Sequence, residues 1–362
     1  MSTPVEDGRP RSDAALVDCD VHISASDETQ IVERLPEPFR SKGLYAPGRY
    51  GSAYVNPVGG FRGDAYPDDG MAGSEPALLK SQLLDELPIE YGIITGGICM
   101  SMVSHPNGRY AAAVCRAYND WVVEEWTSTD DRLLASIGIA PQMPEASAEE
   151  IHRLGDHPDM VQVLFGSGTR VPLGQKDYWP IYRAAEAEGL PVGMHVGPKG
   201  AAGIGNSNNP AGHSSTYVEA HIHQQTNYYG QLASMVLEGV FEEFPDLTFV
   251  MIEGDFGWVP DAMWRMDRNW EAFREELPWL SMAPSEYVKR NVKFTTQPIP
   301  EPPEPGQLAT LMEMIDAERT LMWSSDYPHW DGDYRPELLF RGVPEETKRA
   351  VLHDTAAELY GL

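Results

Sequence analysis

Short apolar runs alternate with longer amphipathic stretches along most of this 362-residue chain. The short runs are apolar on both faces, which is typical of parallel strands that are buried on both sides of a sheet. This pattern predicts eight strands, at Leu16–His22, Glu90–Thr95, Leu133–Ile139, Met160–Phe165, Leu190–Val196, Leu247–Glu253, Asn291–Thr295 and Thr320–Ser325.

Helical periodicity fills the intervals between these runs. It predicts helices at Tyr110–Thr127, Tyr178–Glu188, Val218–Phe244, Val259–Glu276, Gly306–Ala317 and Glu345–Tyr360. Eight strand–helix alternations predict an α/β protein with a single (β/α)8 TIM barrel. An open doubly wound sheet is the alternative, and it is disfavoured because no glycine-rich dinucleotide fingerprint follows the first strand.

The domain organisation predicted from this pattern is simple. Residues 1–12 carry no apolar periodicity and are expected to form a disordered tail, and residues 13–362 are expected to form the barrel. Long irregular insertions lie near residues 36–74 and 197–217. The second insertion follows a strand, which places it at the C-terminal face where barrel enzymes carry their binding loops.

Charge narrows the classes of partner. Lys and Arg number 27 and Asp and Glu number 55, which gives a formal net charge of −28. Such a surface repels nucleic acid and anionic membranes. The three cysteines do not suggest a disulfide framework, and the first residues have no apolar segment typical of a signal peptide. We therefore expect a cytoplasmic protein that acts on a small molecule.

Histidines and carboxylates gather at the predicted strand ends. Asp20 and His22 close the first strand, and residues two apart on a strand point to the same side. Each feature alone has an ordinary structural explanation, such as a core histidine or an aspartate in a turn. Together they need pairing or a metal, because burying several ionisable groups costs several kcal/mol otherwise. The later strand ends carry His195, Glu253, Asp326 and, three residues further, His329.

The sequence resembles the amidohydrolase-related family of the amidohydrolase superfamily, which includes aminocarboxymuconate semialdehyde decarboxylase. The resemblance rests on the Asp-x-His at Asp20 and His22 and on three segments, Leu237–Pro260, Ser324–Asp331 and Val351–Leu362. It implies a barrel with a divalent metal. The ligands implied by the resemblance are Asp20, His22, His195 and Asp326.

Several residues depart from this family pattern. Glu253 stands where the decarboxylase-like members usually have a histidine, and the fourth strand offers Gln162 where other superfamily members have a lysine. Of His221 and His223, which cannot share one helix face, we prefer His221 as a ligand. The candidate metal ligands are therefore Asp20, His22, His195, His221, Glu253, Asp326 and His329.

Three functions are compatible with this set. We favour a di-iron monooxygenase resembling the 2-aminoisobutyrate hydroxylase type, because seven candidates exceed the needs of one zinc and mixed imidazole and carboxylate ligands suit iron and O2. One iron would lie near Asp20, His22, His195 and Asp326, and a second near His221, Glu253 and His329.

The alternative is a zinc- or manganese-dependent hydrolase or decarboxylase in which Glu253 or Asp326 acts as the catalytic base. A non-catalytic subunit beside a homologous catalytic one is the third hypothesis. A homo- or hetero-oligomer is expected in each case.

Overall fold

The structure, a computed structural model, describes residues 15–44, 60–197 and 216–362. In these residues eight strands form one sheet, and each strand pairs in parallel with the next one along the chain. This order confirms the predicted (β/α)8 barrel. The strands are β1 (Leu16–Val21), β2 (Ile89–Ile94), β3 (Leu133–Gly138), β4 (Met160–Gly166), β5 (Val192–His195), β6 (Phe249–Ile252), β7 (Val292–Thr295) and β8 (Leu321–Met322).

Backbone hydrogen bonds join the last strand to the first. The Cys19 N–H donates to the Trp323 carbonyl at 3.1 Å, and the His22 N–H donates to the Tyr327 carbonyl at 2.7 Å. The segment after β8 therefore runs beside β1 although its regular pairing ends at Met322. The sheet consequently curls round on itself, and the C-terminal ends of its strands meet at one face.

Helices in the described residues lie between the strands and after β8. They are α1 (Thr29–Val32), α2 (Pro76–Leu79), α3 (Cys99–Met102), α4 (Gly108–Glu125), α5 (Pro144–Leu154), α6 (Trp179–Glu188), α7 (Tyr217–Ile222), α8 (Gln224–Leu237), α9 (Val240–Glu243), α10 (Val259–Ala272), α11 (Pro284–Asn291), α12 (Pro305–Met314), α13 (Ala317–Thr320), α14 (Pro336–Leu339), α15 (Glu345–Arg349) and α16 (Thr355–Tyr360). Short 3-10 turns occur at Arg40–Lys42, Gly63–Ala65, Thr127–Thr129, Lys176–Tyr178 and Arg274–Glu276, and π-helical turns at Lys80–Leu84 and Ala350–Asp354.

Two long predicted helices are interrupted. The pattern over Val218–Phe244 forms α7, α8 and α9, and Gly239 separates the last two with a left-handed φ of 80° that glycine adopts without steric strain. The helix predicted over Glu345–Tyr360 forms α15 and α16, with a π-helical turn at Ala350–Asp354 between them. Within that turn the Val351 carbonyl accepts the Trp323 N–H at 2.8 Å, which anchors the end of β8 to the last helices.

The barrel core is largely apolar and also contains buried polar groups. Every residue of β1, β3 and β4 is buried, as expected for strands covered on both faces. Gln162 on β4 donates to the Ser136 hydroxyl at 2.9 Å and accepts from the Tyr360 hydroxyl at 3.1 Å. These contacts satisfy a buried amide that would otherwise cost about 1–3 kcal/mol.

Parts of the predicted organisation fall outside the described residues. These parts are the tail at residues 1–12, residues 45–59 of the first insertion and residues 198–215 of the second. Within the three described ranges, no helix has both the length and the apolar character needed to cross a bilayer.

Candidate metal centre

The candidate residues lie at the C-terminal ends of four strands. Asp20 belongs to β1 and His22 follows it directly, while His195 is the last residue of β5 and Glu253 comes directly after β6. Asp326 lies in the loop after β8. His195 pairs with Ile252 across the sheet, so Glu253 is placed one residue beyond it. Barrel topology therefore brings together residues that are far apart in the sequence.

One cluster consists of Asp20, His22, His195 and Glu253, whose potential ligand atoms all lie within 4.8 Å of one another. The His22 Nε2 and His195 Nε2 atoms are 3.1 Å apart. The Asp20 Oδ1 atom lies 3.2 Å from His22 Nε2, and the Glu253 Oε2 atom lies 3.2 Å from His195 Nε2. Two imidazoles and two carboxylates thus converge on one point.

A second cluster shares His22 and adds Asp326 and His329. The Asp326 Oδ1 atom lies 3.0 Å from His22 Nε2 and 2.7 Å from His329 Nδ1. The rings of His22 and His329 meet edge to face, with centroids 4.6 Å apart. The Phe61 ring stacks on the His329 ring, with the two centroids 4.9 Å apart.

The donor set fits a divalent metal ion. Asp20, His195 and Asp326 are almost completely buried, and the Asp20 Oδ2 atom has no hydrogen-bond partner among the described residues. Buried carboxylates of this kind are stabilised by pairing or by a metal. Imidazole nitrogens and carboxylate oxygens are the ligands that zinc and manganese accept. Asp20, His22, His195, Glu253 and Asp326 could hold such an ion.

The charges of the cluster are strongly coupled. Burial would raise the pKa of Asp20, but His195 and His22 outweigh it and hold that pKa far below its usual value. Burial would lower the pKa of His22, but the Asp20 and Asp326 carboxylates raise it well above its usual value. A metal binds the unprotonated imidazole. A bound ion would therefore displace the proton that the Asp20 and Asp326 carboxylates stabilise on His22.

Two of the candidate residues have unusual backbone conformations. Glu253 has φ 55° and Asp326 has φ 58°, and both values lie in the left-handed region that residues other than glycine rarely adopt. Such conformations cost about 1–3 kcal/mol each and are found most often at functional sites. Here they place the two side chains beside His195 and His22.

Several supporting residues were missed by the sequence analysis. Thr95 donates its hydroxyl to Asp20 Oδ1, and the Thr295 hydroxyl accepts the Glu253 N–H at 3.0 Å. Both threonines stand at the ends of strands, the same signal that pointed to the histidines. A Cβ built on Gly96 would overlap the His22 ring, so only glycine fits there. Gln224 donates to Glu253 from α8, and no signal in the sequence pointed to it.

The structure places His221 apart from both clusters. Its Nε2 atom lies 3.3 Å from the Asp331 Oδ2 atom, and both side chains are partly exposed. Asp331 follows His329 by two residues, so this pair lies close to the second cluster along the chain. The role of His221 as a metal ligand stays a prediction.

The fold and the site together define a metal-dependent enzyme built on a (β/α)8 barrel. The amidohydrolase family model matches residues 17–362, and the chain therefore belongs to that family.

Relatives of stated activity are decarboxylases. The chain is 25 % identical over 308 residues to the gamma-resorcylate decarboxylase of Rhodococcus jostii (strain RHA1), an alignment that covers 78 % of this chain and 87 % of that protein. It is 27 % identical over 257 residues to the gamma-resorcylate decarboxylase of Rhizobium sp. (strain MTP-10005), covering 63 % and 70 % of the two chains.

Solved structures agree in fold. The 5-carboxyvanillate decarboxylase of Sphingomonas paucimobilis matches with a TM-score of 0.67 and 20 % identity, covering 96 % of this chain and 99 % of that one. The dihydroxybenzoic acid decarboxylase of Polaromonas sp. JS666, solved with bound manganese and an inhibitor, matches with a TM-score of 0.65 and 17 % identity over 96 % and 97 % of the chains. These relatives give no support to the hydroxylase hypothesis or to a pair of irons.

Proposed function

We propose that this protein is a metal-dependent decarboxylase of a small aromatic carboxylate, with one divalent ion, manganese or zinc. The convergence of Asp20, His22, His195 and Glu253 on one point carries the proposal, because it offers a mixed nitrogen and oxygen ligand set at the catalytic face of the barrel. The decarboxylase relatives and the manganese bound to one of them favour this chemistry over hydrolysis.

The proposed reaction breaks the bond between the ring carbon and the carboxylate. Carbon dioxide leaves, the electron pair stays on the ring carbon, and one proton is delivered to that carbon. Asp20, His22, His195 and Glu253 would hold a divalent ion, which would supply Lewis-acid stabilisation of negative charge in this acidic site.

Glu253 and Asp326 have different surroundings in this scheme. The Asp326 side chain is 1 % exposed and its Oδ1 atom contacts both His22 and His329, so it is suited to hold the histidines in place. The Glu253 side chain is 10 % exposed and contacts His195 through Oε2. We assign to the Glu253 carboxyl group the transfer of the proton to the ring carbon.

A screen of carboxylates with defined metals tests the proposal. The protein is freed of metal with a chelator, reloaded with Mn2+, Zn2+ or Fe2+, and assayed for CO2 release from 2,6-dihydroxybenzoate, 5-carboxyvanillate and unsubstituted benzoate. We expect metal-dependent CO2 release from a hydroxylated aromatic carboxylate, and its loss in Asp326→Asn. No CO2 release with any of these metals and substrates would contradict the proposal.

A dinuclear hydroxylase is the second candidate function. The observation that favours it is the second cluster of His22, Asp326 and His329, which adjoins the first through the shared His22. Metal analysis of protein from iron-supplemented cells separates the two functions. One manganese or zinc per chain supports the decarboxylase, whereas two irons per chain together with O2 consumption would support the hydroxylase.

A further inference from the structure

Gln224, at the start of α8, contacts Glu253 at two points. Its side-chain Nε2 donates to the Glu253 backbone carbonyl at 2.8 Å and approaches the carboxylate Oε1 at 3.3 Å. The other carboxylate oxygen, Oε2, is the atom that lies 3.2 Å from His195 Nε2. One amide group therefore holds both the backbone and the side chain of Glu253.

The rest of α8 fixes the same strand end. Tyr228, four residues after Gln224 and on the same face of the helix, donates its hydroxyl to the Ile252 carbonyl. A Cβ built on Gly254 would overlap the Tyr228 ring, so the helix packs closely against this turn. The left-handed Glu253 backbone thus lies between two anchored neighbours. Its own N–H donates to the Thr295 hydroxyl and its own carbonyl accepts from Gln224.

The amide of Gln224 has a cost in stability. The residue is 6 % exposed, and its Oε1 atom has no hydrogen-bond partner among the described residues. A buried acceptor without a partner costs about 1–3 kcal/mol, which an apolar side chain of similar size would avoid. The contacts of the Gln224 Nε2 atom with Glu253 give a reason for an amide at position 224.

We propose that Gln224 is a positioning residue that directs the Glu253 carboxylate toward the metal centre. The inference rests on the metal centre of the proposed function and is independent of which reaction that centre performs. Without the Nε2 donor, the carboxylate loses one of the contacts that hold it beside His195. Groups that orient a metal ligand in this way typically contribute about 10- to 100-fold to metal affinity.

The test measures affinity for Mn2+ alone, by competition with a chelator on the full-length protein. Gln224→Met keeps the size and removes the donor, and we expect an affinity about 10- to 100-fold lower. Gln224→Leu also removes the donor without adding charge, and should weaken binding as well. Gln231→Met is the control, because Gln231 lies on the same helix, is 7 % exposed and bonds to Leu173 and Thr169 instead.

A double-mutant cycle with Glu253→Gln separates positioning from a general effect on folding. If Gln224 acts through Glu253, Gln224→Met weakens Mn2+ binding in the wild-type protein and has little further effect in Glu253→Gln. Unchanged affinity in both Gln224 variants would overturn the inference. An equal loss in the Glu253→Gln background, or the same loss in Gln231→Met, would overturn it too. None of these outcomes depends on finding a substrate, so failure of the proposed reaction leaves the test intact.

Discussion

The Nε2 atoms of His22 and His195 face each other at 3.1 Å, with the two rings edge to face and their centroids 4.8 Å apart. With the protons of both Nε2 atoms displaced, the two imidazoles can direct their lone pairs at a common ion. Asp20 adds carboxylate oxygens at 3.2 Å from His22 Nε2 and 3.5 Å from His195 Nε2. The position between the two nitrogens is therefore the centre of the candidate metal site.

Replacing His195 should remove this centre. His195→Asn deletes one of the two facing nitrogens, and we expect Mn2+ affinity to fall by about 100-fold or more, because ligand loss exceeds the effect of an outer contact. Wild-type protein with Mn2+ at 100 times Kd should gain about 2.7 kcal/mol of stability, and the variant should gain at most about 0.4 kcal/mol at that concentration. Thermal melts with and without Mn2+ measure the difference.

The matched control for that variant is His152→Asn. His152 lies on α5 with its side chain 52 % exposed and contacts Glu188 rather than the cluster. Its melting temperature should rise with Mn2+ as the wild-type value does. A stabilisation by Mn2+ that is equal in His195→Asn and in wild-type protein would place the metal elsewhere.

A substitution at Gly96 tests the position of the His22 ring without replacing any candidate ligand. A Cβ at this position would overlap the His22 ring, so Gly96→Ala should push the ring away from His195 and Asp326. We expect a folded protein whose affinity for Mn2+ is about 10-fold lower or worse, in the range seen when the support of a ligand is lost. Chelator competition measures the affinity, and circular dichroism checks the fold.

Gly230→Ala is the control for the added methyl group. Gly230 lies inside α8, and a Cβ built there meets no atom within 4 Å. Because alanine is favoured over glycine inside a helix, this variant should be about 0.5–1 kcal/mol more stable and bind Mn2+ normally. Normal binding in Gly96→Ala as well would show that the His22 position is not needed for the site.

Glu253→Gln tests the residue that departs from the family pattern. The change keeps the volume and removes the charge 3.2 Å from His195 Nε2. We expect a folded protein with less bound metal or, with metal present, a rate at least about 100-fold lower if Glu253 transfers a proton. The exposed Glu275→Gln is the control. Full activity with unchanged metal content would remove Glu253 from the site.

The fold followed from the sequence because parallel barrel strands are buried on both faces. All eight apolar runs form strands, in the predicted order. The largest difference is β8, predicted over Thr320–Ser325 and regular only over Leu321–Met322. Beyond Met322 the backbone of Trp323 bonds to Cys19 and to Val351, a choice of tertiary partners that apolar patterning does not encode.

The grouping of candidate residues was predictable where a histidine or carboxylate stands at a strand end. His195 and Glu253 met because neighbouring parallel strands end side by side. The contacts of His221 and Gln224 were not predictable, since the rotation of a helix against the barrel depends on packing over its whole length. The metal was not predictable either, because imidazole and carboxylate ligands accept iron, zinc and manganese alike.

The raised pKa of Asp333 leads to a prediction about how the free energy of unfolding depends on pH. Burial raises the pKa of Asp333 to about 7 from its ordinary 3.8, and the Asp326 and Glu301 carboxylates add to the effect. Between these two pH values the folded protein keeps a proton that the unfolded chain has released. The contribution of Asp333 to the free energy of unfolding therefore falls as pH rises through this window, and it levels off above about pH 7.

Asp333→Asn should remove this contribution. Each pKa unit corresponds to about 1.4 kcal/mol, and partial access of water to the group reduces the sum, so we expect the variant to be stabilised by on the order of 2 kcal/mol at pH 8. At pH 4 its stability should equal that of wild-type protein. Urea unfolding of the metal-free protein at both pH values measures this, and a stability difference that is the same at pH 4 and pH 8 would contradict it.

Asp130→Asn should show the opposite dependence in the same experiment. Hydrogen bonds from Arg132, with a further one from Lys80, hold the pKa of Asp130 well below its usual value. The folded state then releases its proton more readily than the unfolded chain, so the carboxylate stabilises the protein above about pH 4 and loses this effect in acid. We expect Asp130→Asn to be less stable than wild-type protein at pH 8, with the deficit shrinking as the pH falls below 4. Asp130 is far from the candidate ligands in sequence and bonds to cations. Opposite pH dependences of the free energy of unfolding in Asp333→Asn and Asp130→Asn would therefore reflect the local surroundings of each carboxylate.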